Sequence, residues 1–272
     1  MVKKHAATKN HAPTEVLHDY SWNRGMVRIE KRGSIALITL DRAEKLNAMN
    51  SAFWPDLRDG LDWIVAQGSL RAIVITGSGS RAFSVGGDIA SFAELTTAAS
   101  RHEFQCEAMA TFAAVENCPL TIIAAVNGLA LGGGCEIAMA CDFVVAAREA
   151  AFGLPEAHFG LVPGYGVLRA PALIGEQMAK MLILSGERLS AEEALGCGLV
   201  QKVVGATDLL DEATRLADAA ASASPKATAA AKKLIRSPIS ADRIASSIET
   251  ISELHATREA RAAVNRFLGA DR

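Results

Sequence analysis

Residues Leu120 to Ala140 read LTIIAAVNGLALGGGCEIAMA, and the parsing of this stretch decides the fold. It is long and apolar enough for a bilayer span, but Asn127, Glu136 and four glycines (128, 132, 133 and 134) lie inside it. A carboxylate and a Gly-Gly-Gly run in mid-span are costly in lipid. A buried strand, a tight Gly-rich connection and a helix accommodate the same residues in a water-soluble fold.

Working outward, Thr121 to Val126, Phe143 to Ala146 and Ala72 to Thr76 (AIVIT) are continuous apolar runs of the kind found in strands covered on both faces. Val27 to Glu30 and Ser34 to Leu40 (SIALITL) read as paired strands. Between these runs, Ser51 to Ala66 places Phe53, Leu57, Leu61, Ile64 and Val65 at helical spacing, and another helix spans about Arg101 to Glu116. The repeat of strand, strand, helix or strand, helix points to an α/β fold. From about Asp208 no strand-like run appears and alanine becomes abundant. Ser190 with Glu193 fits a capping box, and Ser224 before Pro225 fits a helix start. An Ala-rich helical C-terminus with a thin apolar stripe favours an oligomer contact over packing back on the core.

Composition narrows the function classes. Of 272 residues 50% are hydrophobic and 21% charged, enough for a large core and too apolar for a disordered chain. Lys plus Arg number 28 against 30 Asp plus Glu, so no global attraction to nucleic acid or an anionic membrane follows. Cys106, Cys118, Cys135, Cys141 and Cys197 form no CxxC pair, which indicates packed, reduced thiols rather than a metal site or a disulfide framework. The start, MVKKHAATKNHAPTEV, is basic without an apolar run behind it. A flexible tail over 1–25 and a cytoplasmic location are expected.

Three features bear on chemistry. Gly77-Ser78-Gly79-Ser80-Arg81-Ala82 fits the dinucleotide fingerprint after a strand, but Phe83-Ser84-Val85-Gly86-Gly87 follows where a helix should open, so the context fails. Val85-Gly86-Gly87-Asp88 and Leu131-Gly132-Gly133-Gly134 are Gly-rich loops between strand-like and helix-like sequence. Without side chains, backbone N–H groups there can approach a ligand oxygen, and two such loops meeting in space would form an oxyanion hole. Taken alone, each is more often a tight turn or a close packing contact. Glu136 and Glu156 lie among apolar residues, where carboxylates must be hydrogen-bonded, neutralised or functional. A salt bridge is the plain reading of each, whereas beside an oxyanion hole the pair suits general acid and base work.

These residues carry a family resemblance. Ala125 to Asp142 (AVNGLALGGGCEIAMACD) resembles the signature of the enoyl-CoA hydratase (crotonase) family. Lys45 to Met49 (KLNAM), Ala82 to Ile89 (AFSVGGDI), Phe152 to Glu156 (FGLPE), Gly160 to Gly164 (GLVPG) and Ala191 to Val200 (AEEALGCGLV) match further family motifs in order. The resemblance implies a spiral of ββα units over 26–205, carrying an acyl-CoA site, and a helical trimerisation region over 206–272, with trimers or dimers of trimers. It implies that the Gly87 and Gly133 N–H groups form the oxyanion hole for the thioester carbonyl. Glu136 is implied to activate the water that attacks C3, and Glu156 to protonate C2. Lys45, Leu46, Ala48, Gly86, Asp88, Ile89, Pro163 and Tyr165 match positions around the substrate and its CoA. No metal or redox cofactor is implied, coenzyme A being part of the substrate, and the pathway class is fatty acid metabolism.

Retention of both glutamates favours hydration over isomerisation or another enolate-forming reaction. A second class, a non-catalytic homologue binding RNA, would draw on Lys226, Lys232, Lys233, Arg236 and Arg243 against Asp242. The near-neutral total charge and the complete motifs oppose it, and neither nucleic acid nor a membrane is expected as a partner. That basic stretch is readable as a solvated helix face or as an attraction for CoA phosphate. His158 is expected to pack rather than catalyse. Tyr165-Gly166-Val167-Leu168-Arg169 departs from the family's small residue followed by Gly-Gly-Thr, and Tyr165 is expected to narrow the acyl pocket or offer it a hydroxyl.

Overall fold

The computed structural model describes residues 21–92 and 94–235. The strands are β1 (Ser21–Arg24), β2 (Val27–Arg32), β3 (Ile35–Leu40), β4 (Ala72–Gly77), β5 (Ala82–Ser84), β6 (Thr121–Val126), β7 (Leu129–Leu131), β8 (Phe143–Ala147), β9 (Ala151–Gly153), β10 (Arg188–Ser190) and β11 (Lys202–Val204). The helices are α1 (Phe53–Ala66), α2 (Ile89–Phe92), α3 (Ala98–Asn117), α4 (Gly133–Ala140), α5 (Gly166–Ile174), α6 (Glu176–Lys180), α7 (Ala191–Gly196), α8 (Leu209–Ala221) and α9 (Pro225–Ile235). A 3-10 turn spans Pro155–Phe159, and a π-helical turn, Met181–Ser185, continues α6.

Two sheets carry the spiral. The large one has strand order β1-β2-β3-β4-β6-β8-β11, antiparallel through β3 and parallel from there on. The small one has order β10-β9-β7-β5, with only β10 antiparallel. Each of β4, β6 and β8 in the large sheet is followed by β5, β7 or β9 in the small one and then by helix, which makes the ββα unit. The GSGSRA segment thus turns into β5 rather than a helix, as its context requires.

Burial on both faces explains the uniform apolar runs. Every residue of β3, β4 and β6 is buried. One face packs against Phe53, Leu57, Phe112 and Ile137 of α1, α3 and α4. Leu209, Ala213 and Ala217 of α8 cover the other, over Ile35, Val74, Ile123 and Val145. Such strands read as continuous hydrophobic segments rather than alternating ones.

Two expectations about boundaries are corrected. Residues 21–24 are not tail: they form β1, whose backbone pairs with β2 from Ser21 opposite Glu30 to Arg24 opposite Val27. Residues 1–20 lie outside the described residues. The C-terminal region is not wholly an appendage for oligomer contacts either, because α8 is a core helix sealing the large sheet. The rest of that region, 236–272, lies outside the described residues. The two helix starts read from sequence hold: Ser190 accepts from Glu193 N–H in a reciprocal capping box, and α9 begins at Pro225 after Ser224. The cysteines are free thiols, though Cys106 is exposed rather than packed.

Candidate active site

The small sheet delivers the two Gly loops to one place. Beyond β5, the Ser84 hydroxyl donates to the Asn47 carbonyl (2.7 Å) and accepts from Gly86 N–H (3.1 Å), fixing the turn. Met49 N–H donates to Gly86 O and Asp88 N–H to Met49 O, each at 2.8 Å, so the chain is pinned on both sides of Gly87. Gly86 has φ +84°, and a Cβ there would lie 2.7 Å from Leu131 O and 2.8 Å from Gly133 N. Only glycine permits both that conformation and that contact. A Cβ on Gly134 would lie 2.2 Å from Ser84 O, so α4 starts directly against β5. The loops therefore meet. Among the described hydrogen bonds, neither Gly87 N–H nor Gly133 N–H donates to a protein acceptor. Both glycines line one cavity of about 400 Å³.

Glu136 and Glu156 line the same cavity. Glu136 sits in the first turn of α4 and is 5% exposed. Its Oε1 accepts from Tyr165 N–H (2.8 Å) and Gly166 N–H (2.7 Å) at the start of α5. Burial raises its carboxyl above the ordinary range, and those two N–H groups act in the opposite direction. Glu156 stands in the 3-10 turn, its Oε1 2.8 Å from where a Cβ on Gly132 would be. Its Oε2 is buried with no hydrogen-bond partner. Burial, with a smaller push from the Glu136 charge, raises the Glu156 carboxyl to about 7. One carboxylate thus has its charge held by backbone dipoles, while the other is poised to carry a proton near neutrality.

The remaining candidates are placed unevenly. Ile89, 56% exposed, and Pro163 line the cavity. Lys45 is exposed in the turn Ala43–Lys45, and Leu46 follows it at φ +54°. Ala48 is buried. Asp88 Oδ2 accepts from Arg42 Nη1 at 2.7 Å, which ties the segment around Lys45 to the Gly87 loop and holds the Asp88 carboxyl below its usual range. The expectation for Tyr165 is corrected. It does not line the cavity; its ring stacks on Phe112 at 5.1 Å, and its backbone N–H is what reaches the site. His158 is exposed rather than packed in the core; its ring lies over Gly186, Cε1 2.6 Å from where a Cβ there would stand, and it does not line the cavity. In the basic stretch, Lys232 Nζ donates to Asp142 Oδ2 (2.7 Å) and Leu120 O (2.8 Å), a structural tie. Arg236 and Arg243 lie outside the described residues. Among the described residues no group of three or more His, Cys, Asp or Glu could hold a metal ion.

Sequence reasoning missed the apolar half of the cavity: Trp54 of α1, Phe92 of α2, and Phe104, Ala108 and Phe112 of α3. The only available signal was the four-residue spacing on α3, which also describes an ordinary core face.

Comparison with known proteins agrees with this geometry. Residues 30–268 match the family model described as enoyl-CoA hydratase/isomerase. The chain is 36% identical over 250 residues to a short-chain-enoyl-CoA hydratase of Clostridium acetobutylicum, covering 89% of this chain and 94% of that protein. It is 39% identical over 190 residues to a crotonyl-CoA hydratase of Syntrophomonas wolfei, covering 70% and 73%. The crystal structure of an enoyl-CoA hydratase from Bacillus anthracis superposes with TM-score 0.86 at 31% identity, covering 90% of this chain and 97% of that one. With a family match spanning most of its length and relatives above a third identical, this chain belongs to the enoyl-CoA hydratase/isomerase family.

Proposed function

We propose that the chain is an enoyl-CoA hydratase that adds water across the C2=C3 bond of a trans-2-enoyl-CoA thioester. The observation that carries the reading is the convergence of two carboxylates, buried Glu136 and half-buried Glu156, with the N–H groups of Gly87 and Gly133 on one cavity.

The thioester oxygen accepts from Gly87 and Gly133 N–H. Glu136, ionised, takes a proton from water as its oxygen bonds to C3, and the C2=C3 electrons move toward the carbonyl to form an enolate. The negative charge then sits on the oxygen between the two N–H groups, where one such donor is worth roughly 3–4 kcal/mol in comparable sites. Glu156 gives its proton to C2 and the carbonyl re-forms. The proton held by Glu136 returns to Glu156 through solvent before the next turnover. Every proton and charge in this scheme is handled by groups of the chain or by water, and coenzyme A enters as part of the substrate. Exposed Lys45, close to the Gly87 loop through Arg42 and Asp88, is suited to the CoA end.

The test is loss of the conjugated-thioester absorbance on mixing with crotonyl-CoA. Glu136→Gln and Glu156→Gln should each lower kcat by at least about 100-fold, the lower range of general acid–base catalysis. Wild-type turnover in either variant removes that residue from the mechanism.

Self-association through the C-terminal region belongs to the same reading, as a homotrimer or a dimer of trimers. Because α8 seals the core, the informative truncation ends at Ile235 and leaves α8 in place. Light scattering should then report monomers, and an unchanged oligomer would refute the role of residues 236–272.

A further inference from the structure

One wall of the cavity is built largely from rings, with Gln105 and Met109 of α3 beside them. Phe104, Ala108 and Phe112 succeed one another at four-residue intervals along α3 and all line the cavity. Phe104 and Phe112 are 7% and 2% exposed, so little beyond their cavity edges meets open space. Both meet the Trp54 ring edge to face, at centroid distances of 5.8 and 5.6 Å. Ala108 between them leaves a notch that Trp54, 3% exposed, closes from behind. The notch starts beside the oxyanion site, because Trp54 Cη2 lies 3.7 Å from where a Cβ on Gly133 would be.

This wall is braced. Arg58 Nη1 donates to Glu107 O and to Thr111 Oγ1, both at 2.9 Å, and Thr111 Oγ1 lies 3.2 Å from Trp54 O, so α1 and α3 are clamped together at the notch. Tyr165 stacks on Phe112 and keeps that ring from swinging away. The opposite wall differs: Phe159, Leu161 and Val162 are 59%, 46% and 67% exposed. For an acyl chain leaving the Gly87 and Gly133 donors, the side formed by Phe104, Ala108, Phe112 and Trp54 is the more enclosed apolar one.

We propose that Ala108, flanked by Phe104 and Phe112 and floored by Trp54, is the acyl-length determinant and limits the enzyme to short chains. The proposal rests on the hydratase reading only in placing an acyl-CoA thioester at Gly87 and Gly133.

Calorimetric titration with saturated acyl-CoAs from acetyl to decanoyl tests it without turnover. Each methylene entering the notch should tighten binding about fourfold. Affinity should climb through the short chains and fall by decanoyl to at least about tenfold below its maximum. Ala108→Leu fills the gap and should weaken hexanoyl-CoA by about tenfold while leaving acetyl-CoA unchanged. Trp54→Leu lowers the floor and should move the maximum to a longer chain; if that variant does not fold, Ala108→Leu decides alone. Affinity that keeps climbing through decanoyl, or an Ala108→Leu loss equal at all lengths, overturns the proposal. Length-dependent binding without hydration of crotonyl-CoA would sink the hydratase reading and leave the notch standing. Hydration with length-independent binding would do the reverse, and no binding of any acyl-CoA would end both.

Discussion

Glu136 and Glu156 reach the same cavity from supports of different kinds. The first turn of α4 holds Glu136 against the start of α5, where Tyr165 and Gly166 aim two N–H groups at Oε1. In the 3-10 turn at Pro155–Phe159 Glu156 has only its own backbone N–H to oppose the effect of burial, and its Oε2 is buried without a partner. Both carboxyls are raised by burial; two N–H groups from another element oppose this at Glu136, whereas at Glu156 only its own backbone N–H does and the Glu136 charge adds to the rise. In the proposed mechanism this difference divides two identical side chains into a base and an acid.

The largest effect expected from breaking this division is the loss of at least about 100-fold in kcat for either Glu→Gln change. Gln at 136 keeps an oxygen for the two N–H groups, so its circular dichroism and melting curve should match wild type even as turnover collapses. A smaller effect sharpens the assignment through pH. The proposed mechanism needs Glu136 ionised and Glu156 protonated. With Glu156 raised to about 7, kcat/KM for crotonyl-CoA should fall as pH rises through that value. The acid limb, set by Glu136, should lie above the ordinary carboxylate range. In Glu156→Gln the residual activity should lose the alkaline limb and keep the acid one. An alkaline limb that survives this change assigns the proton to another group.

Legibility in the sequence followed length and burial. The strands AIVIT and TIIAAV, buried on both faces, are readable to within a residue because five or six consecutive apolar and β-branched positions admit few other structures. The second sheet is not readable as such: β5, β7, β9 and β10 have three residues each, too few to show a period, and Leu129–Leu131 merges into the apolar run before it. Strand β1 is hidden because its partner is antiparallel β2 across a two-residue turn at Gly25, next to a polar start. The role of α8 is hidden for another reason. Leu209, Ala213 and Ala217 make a stripe of mostly small residues, which looks too thin to seal a sheet until the close packing it allows is seen. At the site, Gly87, Gly133, Glu136 and Glu156 are legible since glycine pairs and carboxylates are out of place in apolar sequence. The aromatic wall is not, because Trp54, Phe104 and Phe112 are ordinary residues for a core.

Tyr165 shows how a residue at the right position can act through a different atom from the one its side chain suggests. Its departure from the family pattern points to a pocket-narrowing ring or a hydroxyl offered to the substrate. Instead its ring lies behind Phe112, and its main-chain N–H holds Glu136. A change of side chain that leaves the ring in place should therefore spare the chemistry. Tyr165→Phe should alter kcat/KM for crotonyl-CoA by less than about threefold and leave the order of preference among C4, C6 and C8 enoyl-CoAs unchanged. The smallness of this effect, set beside the loss at Glu136, separates a residue that supplies backbone geometry from one that supplies a reacting group. A tenfold change in chain-length preference would instead return the Tyr165 side chain to the acyl pocket and show that the Phe112 ring does not screen it.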